Sequence, residues 1–297
     1  MISIQKNIKL APYTTYKIGG PVSYFIEVKT KTEVLEALEF AKSKNLKYFV
    51  LCGGSNVLFS DEGYKGLIIK LNLRNLKILK KESSARHPTS LRDVGCLYAE
   101  SGVKLMALIN FGIKNELSGL EFLAGVPGEV GGAIRGSAGA FQKSISDYLE
   151  KVEVIRDGKI IELKGEEIEF GYRDSEFKRN KDIILAGYFK LKKGNIEVAK
   201  AEIEKNINYR KENHPSEPSA GSVFKNPKNK SIGSMVEELG LKGHSVGQAQ
   251  ISEKHGNFII NLGGARAEDV KSLINLIKKK IKDKWGIELE EEIMIVK

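Results

Sequence analysis

A chain of 297 residues with 41% hydrophobic and 29% charged side chains can bury a substantial core, and it reads as an ordinary globular protein of two or three units. No apolar run approaches a membrane span and Met1 to Lys6 carry no secretory hydrophobic region, which argues against an inserted or exported protein and for a cytoplasmic one. The net charge of +10 fits nucleic acid or an anionic substrate, but Lys alternates with Glu and no RNA-binding signature or arginine-rich arm is present, so phosphates on small ligands are favoured over nucleic acid.

Taken in order, Thr14 to Pro21 is an extended entry into a Gly-Gly-Pro turn, followed by a strand at Val22 to Val28. Thr30 and Glu33 have capping-box spacing for a helix with Val34, Leu35, Leu38 and Ala41 on one face. A strand from Leu46 to Cys52 runs into Gly53, Gly54, Ser55, Asn56, Val57 and Leu58. A dinucleotide loop of the Rossmann type would open a helix, whereas Val57 to Phe59 reads as strand. This is therefore a strand-loop-strand glycine turn whose amides can still form an anion nest. Leu67 to Leu71 is a further strand, Lys80 to Asp93 a surface hairpin or loop, and Val103 to Lys114 an amphipathic helix. Cys52 and Cys96 sit in apolar runs without metal-type spacing and read as buried thiols of a reducing compartment, and no metal site is expected.

Gly119 to Ala140 is too glycine-rich for a regular helix or strand, since each Gly costs roughly 1 kcal/mol against Ala in a helix. It is either a set of tight turns or a cradle bringing peptide amides close to a flat or anionic ligand; the small residues Ala133, Ser137, Ala138 and Ala140 favour the cradle. Beyond it, Lys151 to Ile155 and Lys159 to Leu163 flank Asp157-Gly158, a two-residue hairpin signal, and Asp182 to Leu191 is another strand. A helix from Asn195 to about Lys211 precedes the turn-rich segment His214 to Gly221, which places a domain junction near residue 200. The remainder reads helix (Ser231 to Leu239), strand (Ala249 to Ser252), strand (Asn257 to Leu262), helix (Ala267 to Lys284) and terminal strand (Glu288 to Val296). Three polar passages stand out. Tyr172-Arg173 lies between β segments and is either a surface turn or functional. Ser222, with Lys225 three residues on, opens the C-terminal part as a capped turn or a reactive hydroxyl, and no G-x-S-x-G elbow surrounds it. Glu292 alternates with Met294 and Val296 on one strand face, where it is either partly desolvated, with a raised pKa, or a strand-edge charge.

These passages together resemble one family nearly end to end. Thr15-x-x-Ile18-Gly19-Gly20-Pro21, Gly53 to Leu58, Gly119 to Phe122 through Pro127-Gly128, Gly131-Gly132-Ala133, Ala138-Gly139-Ala140, Tyr172-Arg173-x-Ser175-x-Phe177, Ala220-Gly221-Ser222-x-Phe224-Lys225-Asn226-Pro227 and His255-x-Asn257-Phe258-Ile259 occur in the order found in UDP-N-acetylenolpyruvoylglucosamine reductases. Those are flavoenzymes of bacterial peptidoglycan precursor synthesis, also called UDP-N-acetylmuramate dehydrogenases. The resemblance implies an α+β chain: a two-part FAD-binding fold of the vanillyl-alcohol-oxidase type (1–65 and 66–199) and a C-terminal α/β substrate lobe (200–297). The short length resembles the family's second type, which lacks a tyrosine-bearing loop.

By the same resemblance, Gly53, Gly54, Ser55, Asn56, Val57 and Leu58 hold the FAD pyrophosphate, and Gly125, Pro127, Gly128, Gly132, Ser137 and Gly139 lie along the flavin. Arg173, Ser222 and Glu292 match the catalytic positions; Tyr172, Lys225, Asn226, His255 and Asn257 match the substrate side. NADPH and UDP-N-acetylglucosamine enolpyruvate are the implied partners and a monomer the expected state. The cradle holds no His or Cys to attach a flavin covalently. The chain departs from the family at Ser137, where Asn is usual, at Glu129, where Ser or Thr is usual, and at Glu291, which takes the place of Pro in the family's Leu-x-Pro-Glu-Val ending, here Leu289-Glu290-Glu291-Glu292-Ile293. Two rivals are another flavoenzyme on the same fold, which needs neither the Ser222 to Pro227 motif nor Glu292, and a non-enzymatic basic module, which leaves the cradle without a purpose.

Overall fold

Thr30 accepts from the Glu33 amide and Glu33 reaches back to the Thr30 amide, closing the capping box of the helix Lys31–Ser43. This is a computed structural model describing residues 2–79, 94–228 and 230–297, so the expected hairpin or loop of Lys80 to Asp93 lies outside the described residues. The helix buries Val34, Ala37 and Ala41 on a sheet ordered Ile4–Lys9, Pro21–Val28, Tyr64–Leu71, Tyr48–Leu51. The last three strands are mutually parallel. Such a ladder needs a crossover, and the capped helix supplies it. Apolar side chains cover both sheet faces: Ile26, Val28, Leu67 and Ile69 meet the helix, and Val22, Phe25, Leu51 and Ile68 meet Leu10 and Phe59.

The second unit is an antiparallel sheet ordered Lys159–Lys164, Leu149–Arg156, Ile183–Lys193, Val94–Glu100, Leu76–Leu79. Arg156 pairs with Lys159, leaving Asp157 (φ 50°) and Gly158 (φ 75°) as a two-residue turn with both central residues left-handed, the geometry that Asp-Gly favours. On one face lies the core of Leu97, Leu108, Val130, Ile134, Val152 and Phe189. The glycine-rich passage folds over it as a 3-10 turn (Glu121–Leu123), a short helix (Val130–Arg135) and a small hairpin pairing Gly139–Ala140 with Lys143–Ser144. The helix Ile196–Asn213, capped by Asn195, places Ala199, Ile203 and Ile207 against this second core. Asn206 donates to the Glu121 carbonyl (3.0 Å), and Arg210 donates to those of Ala124 (2.9 Å) and Phe122 (3.1 Å). The chain crosses into the C-terminal unit after this helix, at His214 to Pro218.

There the sheet runs Ser219–Ser222, Phe258–Asn261, Ala249–Ile251, Ser245–Val246, backed by the helix Ala267–Trp285 through Val270, Leu273, Ile274, Ile277 and Ile281. Tyr16, Ile18 and Leu58 from the N-terminal unit complete this core. The terminal strand is shorter than its pattern suggests. Only Met294–Val296 forms a ladder, parallel to Val57–Phe59. Upstream, the backbone is drawn off by the turn after Ser222: Lys225 N–H donates to the Glu290 carbonyl (3.0 Å) and Glu292 N–H to the Val223 carbonyl (2.8 Å). Glu292 therefore does not share a strand face with Met294 and Val296; it lies in a bend before the ladder.

Candidate active site

Two glycine loops meet edge to edge. A Cβ on Gly53 would lie 3.3 Å from Gly128 Cα and 3.4 Å from Glu129 Cγ, so the backbones of loop 53–56 and turn 125–129 approach closely where Gly53 has no side chain. Gly54 is left-handed (φ 64°), and a Cβ there would collide with the Tyr13 carbonyl. Among the described residues the amides of Gly53, Gly54, Ser55 and Asn56 donate to no protein acceptor. Unspent amides around a left-handed residue form an anion nest. Val57 and Leu58 are buried in the ladder with the terminal strand, so they anchor the loop from below. Gly125, Pro127 and Gly132 are exposed along the cradle. At Gly132 an added Cβ would meet only Cys52 Cβ, at 3.8 Å, leaving an open face. Ser137 is buried and left-handed (φ 45°), its hydroxyl 2.9 Å from that of Ser144. Asn tolerates that conformation better than Ser. These surfaces suit a flat ligand with a phosphate-bearing tail, and the loops fit FAD.

The cradle ends on a charged cluster. Gly139 is close enough to Arg173 that a Cβ would lie 3.2 Å from a guanidinium nitrogen. Arg173 occupies the tight turn between Phe170–Gly171 and Asp174–Ser175 with φ 55°, an uncommon conformation for a bulky side chain and one that recurs at functional sites. Its Nε lies 3.1 Å from Glu292 Oε1. Burial pushes the Glu292 carboxyl above the usual carboxylate range, while Arg173, Lys178 and Lys225 pull it part of the way back. Ser222 ends the strand Ser219–Ser222, one residue before the carbonyl that receives the Glu292 amide, and its hydroxyl finds no protein partner among the described residues. Thus Arg173 and Glu292, drawn from two units, meet, and Ser222 precedes the residue whose carbonyl holds the Glu292 amide.

Tyr172, Lys225 and Asn226 line one cavity of about 270 Å³ together with Pro227 and Leu289. Lys225 Nζ is 2.6 Å from Glu290 Oε1, a carboxylate on the exposed rim. Asn226 Oδ1 accepts from the Ile232 amide (3.0 Å), holding the start of the next helix. Asn257 and His255 stand apart from this cavity. Asn257 is buried and engages both ends of its amide with Phe224, accepting from its N–H (3.0 Å) and donating to its carbonyl (2.8 Å). His255 Nδ1 accepts from the Asn257 amide (3.2 Å), and its ring packs on His214 and Phe258. Burial pushes the His255 imidazole below its ordinary range. Both residues brace the turn that carries Ser222 and Lys225.

Sequence reasoning missed Lys178 and the long-range bonds of Asn56 and Thr15. Lys178 Nζ donates to the Arg173 carbonyl at 2.5 Å, clamping the left-handed turn; its spacing of five from Arg173 was the available signal. Asn56 holds Glu292 by backbone: Nδ2 donates to the Glu292 carbonyl and the Met294 amide donates to the Asn56 carbonyl, each at 3.0 Å. Thr15 ties the glycine loop to the C-terminal sheet, donating from its amide to the Gly54 carbonyl (3.0 Å) and from its hydroxyl to the Ser219 carbonyl (2.7 Å). No local pattern reveals contacts of that range.

Comparison with known proteins matches residues 22–164 to an FAD binding domain and residues 213–296 to the C-terminal domain of UDP-N-acetylenolpyruvoylglucosamine reductase. The UDP-N-acetylenolpyruvoylglucosamine reductase of Clostridium novyi is 38% identical over 295 residues, covering 99% of this chain and 92% of its own. That of a Thermotoga species is 41% identical over 289 residues, covering 97% and 91%. The crystal structure of the Thermus caldophilus enzyme superposes with a TM-score of 0.83 at 34% identity, over 100% of both chains.

Proposed function

The chain belongs to the UDP-N-acetylenolpyruvoylglucosamine reductase family, and from that premise we propose that Arg173, Ser222 and Glu292 carry the reduction of UDP-N-acetylglucosamine enolpyruvate to UDP-N-acetylmuramate with NADPH as reductant. The observation that carries this reading is the Arg173–Glu292 pair, 3.1 Å apart, at the end of the glycine cradle and beside the Ser222 turn. FAD held by these residues would supply the redox chemistry, hydride transfer from NADPH to C3 of the enolpyruvyl ether. The loop 53–56 offers its free amides to the diphosphate, and the open face around Gly125, Pro127, Gly128, Gly132 and Gly139 accepts the ring system.

When C3 gains hydride, C2 becomes carbanionic and its charge spreads into the neighbouring carboxylate. A fixed guanidinium lowers the energy of that charge more than it does that of the neutral alkene, which is how Arg173 contributes to rate. Lys178 keeps Arg173 in its left-handed turn. The proton that completes C2 comes from the Ser222 hydroxyl, whose oxygen then recovers one from solvent. A carbanion is basic enough for so weak an acid. The protonated form of Glu292, favoured by its burial, donates a hydrogen bond to the same developing charge. Lys225, with Tyr172 and Asn226 around the 270 Å³ cavity, holds the nucleotide-sugar anion.

We divide the chain into two cofactor units and a substrate lobe, and we place the last junction after the helix Ile196–Asn213, because that helix packs on the second core. Among the described residues no helix is long and apolar enough to cross a membrane; we place the protein in the cytoplasm, a reducing compartment in keeping with Cys52 and Cys96 not being joined in a disulfide. NADPH oxidation by the FAD-loaded protein tests the reading. It should depend on the enolpyruvyl nucleotide sugar and yield UDP-N-acetylmuramate one for one; substrate-independent oxidation alone would overturn it.

A further inference from the structure

Glu129 is a buried carboxylate in an unexpected place. It is only 7% exposed and precedes the short helix Val130–Arg135, yet its side chain does not cap that helix. It lies instead along the glycine loop, with Cγ 3.4 Å from where a Cβ on Gly53 would stand, and it pairs with Lys70 Nζ at 3.2 Å. Lys70 is the penultimate residue of the strand Tyr64–Leu71 and also donates to the Leu71 carbonyl (3.2 Å), so the ammonium is fixed between that carbonyl and the carboxylate. Burial raises the Glu129 pKa and Lys70 opposes the rise.

An ionised carboxylate touching a loop that offers its amides to a diphosphate would repel that diphosphate, because in a partly desolvated setting like charges interact far more strongly than in water. Lys70 is placed to cancel this. We propose that the Lys70–Glu129 pair is a built part of the dinucleotide floor, in which Lys70 acts as a positioning residue by neutralising Glu129 and not as a direct ligand of the phosphates. The inference rests on the assignment of the loop 53–56 and the cradle to FAD. It makes an asymmetric claim: losing the cation alone harms cofactor binding, whereas losing both charges does not, since the isolated negative charge is what opposes the diphosphate.

The test is dilution of the FAD-loaded protein, followed by the rise of free-flavin fluorescence, in wild type, Lys70→Met, Glu129→Gln and the double variant. Lys70→Met should raise the Kd for FAD at least tenfold, Glu129→Gln should leave it within about threefold, and the double variant should return to within about threefold of wild type. A double variant as weak as Lys70→Met overturns the proposal, because Lys70 then acts on the cofactor directly or through the fold; so does a Lys70→Met Kd equal to wild type. Gly132→Val tests the underlying site assignment separately. Its side chain has room within the protein but projects from the open face of the cradle, so FAD should be lost while the thermal midpoint of the flavin-free protein is unchanged. If Gly132→Val binds FAD normally, the site assignment fails whatever the Lys70 series shows.

Discussion

Replacing Ser222 by Ala isolates one half of the catalytic cycle. The hydroxyl makes no protein hydrogen bond among the described residues, and the backbone around it is held by other groups: Val223 N–H donates to the Asn257 carbonyl at 2.8 Å, and Glu292 N–H donates to the Val223 carbonyl at 2.8 Å. Removing one oxygen there should change stability by less than about 0.5 kcal/mol, the ordinary range for a substitution that breaks no packing or buried bond. The chemical effect should be large. Flavin reduction by NADPH places no proton on a substrate carbon and should stay within a few-fold of wild type. Reoxidation by the enolpyruvyl nucleotide sugar should slow by roughly 10²–10⁴-fold, about 3–5 kcal/mol of barrier, the usual contribution of a positioned general acid. Stopped-flow absorbance at the flavin band reads the two half-reactions separately, and Ser222→Cys, which retains a donor, should recover part of the second. Equal slowing of both halves would make Ser222 a structural residue. No slowing in either would move the proton to Glu292 or to water.

Three further outcomes follow from the same geometry. Lys225→Ala should raise KM for the nucleotide sugar at nearly constant kcat, since the residue binds ground state and transition state alike; an unchanged KM would remove it from the site. With the proposed role of protonated Glu292 as hydrogen-bond donor, and with its pKa raised by burial, kcat should fall as pH increases through that raised value. Arg173→Met, by deleting a cation that lowers it, should move this limb to higher pH as well as reducing kcat; a limb that stays put would mean another group titrates. Asn257→Ala should act on stability first: it strands a buried N–H and a buried carbonyl of Phe224, costing roughly 2–4 kcal/mol, visible as a lower thermal midpoint. An unchanged midpoint with a higher KM would instead put Asn257 on the substrate.

What the sequence determined by itself is local or repeated along the chain. The Thr30 to Glu33 capping box, the Asp157-Gly158 hairpin and the helix begun by Asn195 each rest on residues within a few positions of one another, where backbone preference and side-chain reach decide the outcome without help. The glycine run declared itself only in part: the expectation that it holds no regular element fails at Val130–Arg135, a short helix through Gly131 and Gly132, and at the small hairpin begun by Gly139–Ala140, because tertiary packing overrides the glycine penalty there. The ordered motifs pointed to the family through their resemblance to it, taken together and in order. The tertiary structure alone decided which of these pieces meet. The pattern of Glu292, Met294 and Val296 suggested a strand, but the bonds of that segment to Val223 and Lys225 bend it, and burial by the assembled units, not strand alternation, raises its pKa. The resemblance put Asn257 on the substrate side, and only the structure shows its amide engaged by Phe224, because the destination of an amide is not visible in sequence. The Asn56 bond to Glu292 spans 236 positions and the Thr15 bond to Ser219 spans 204. Such contacts exist only once the N-terminal loop, the C-terminal sheet and the last strand have closed on one another, because hydrophobic patterning says which face is buried but not against which partner.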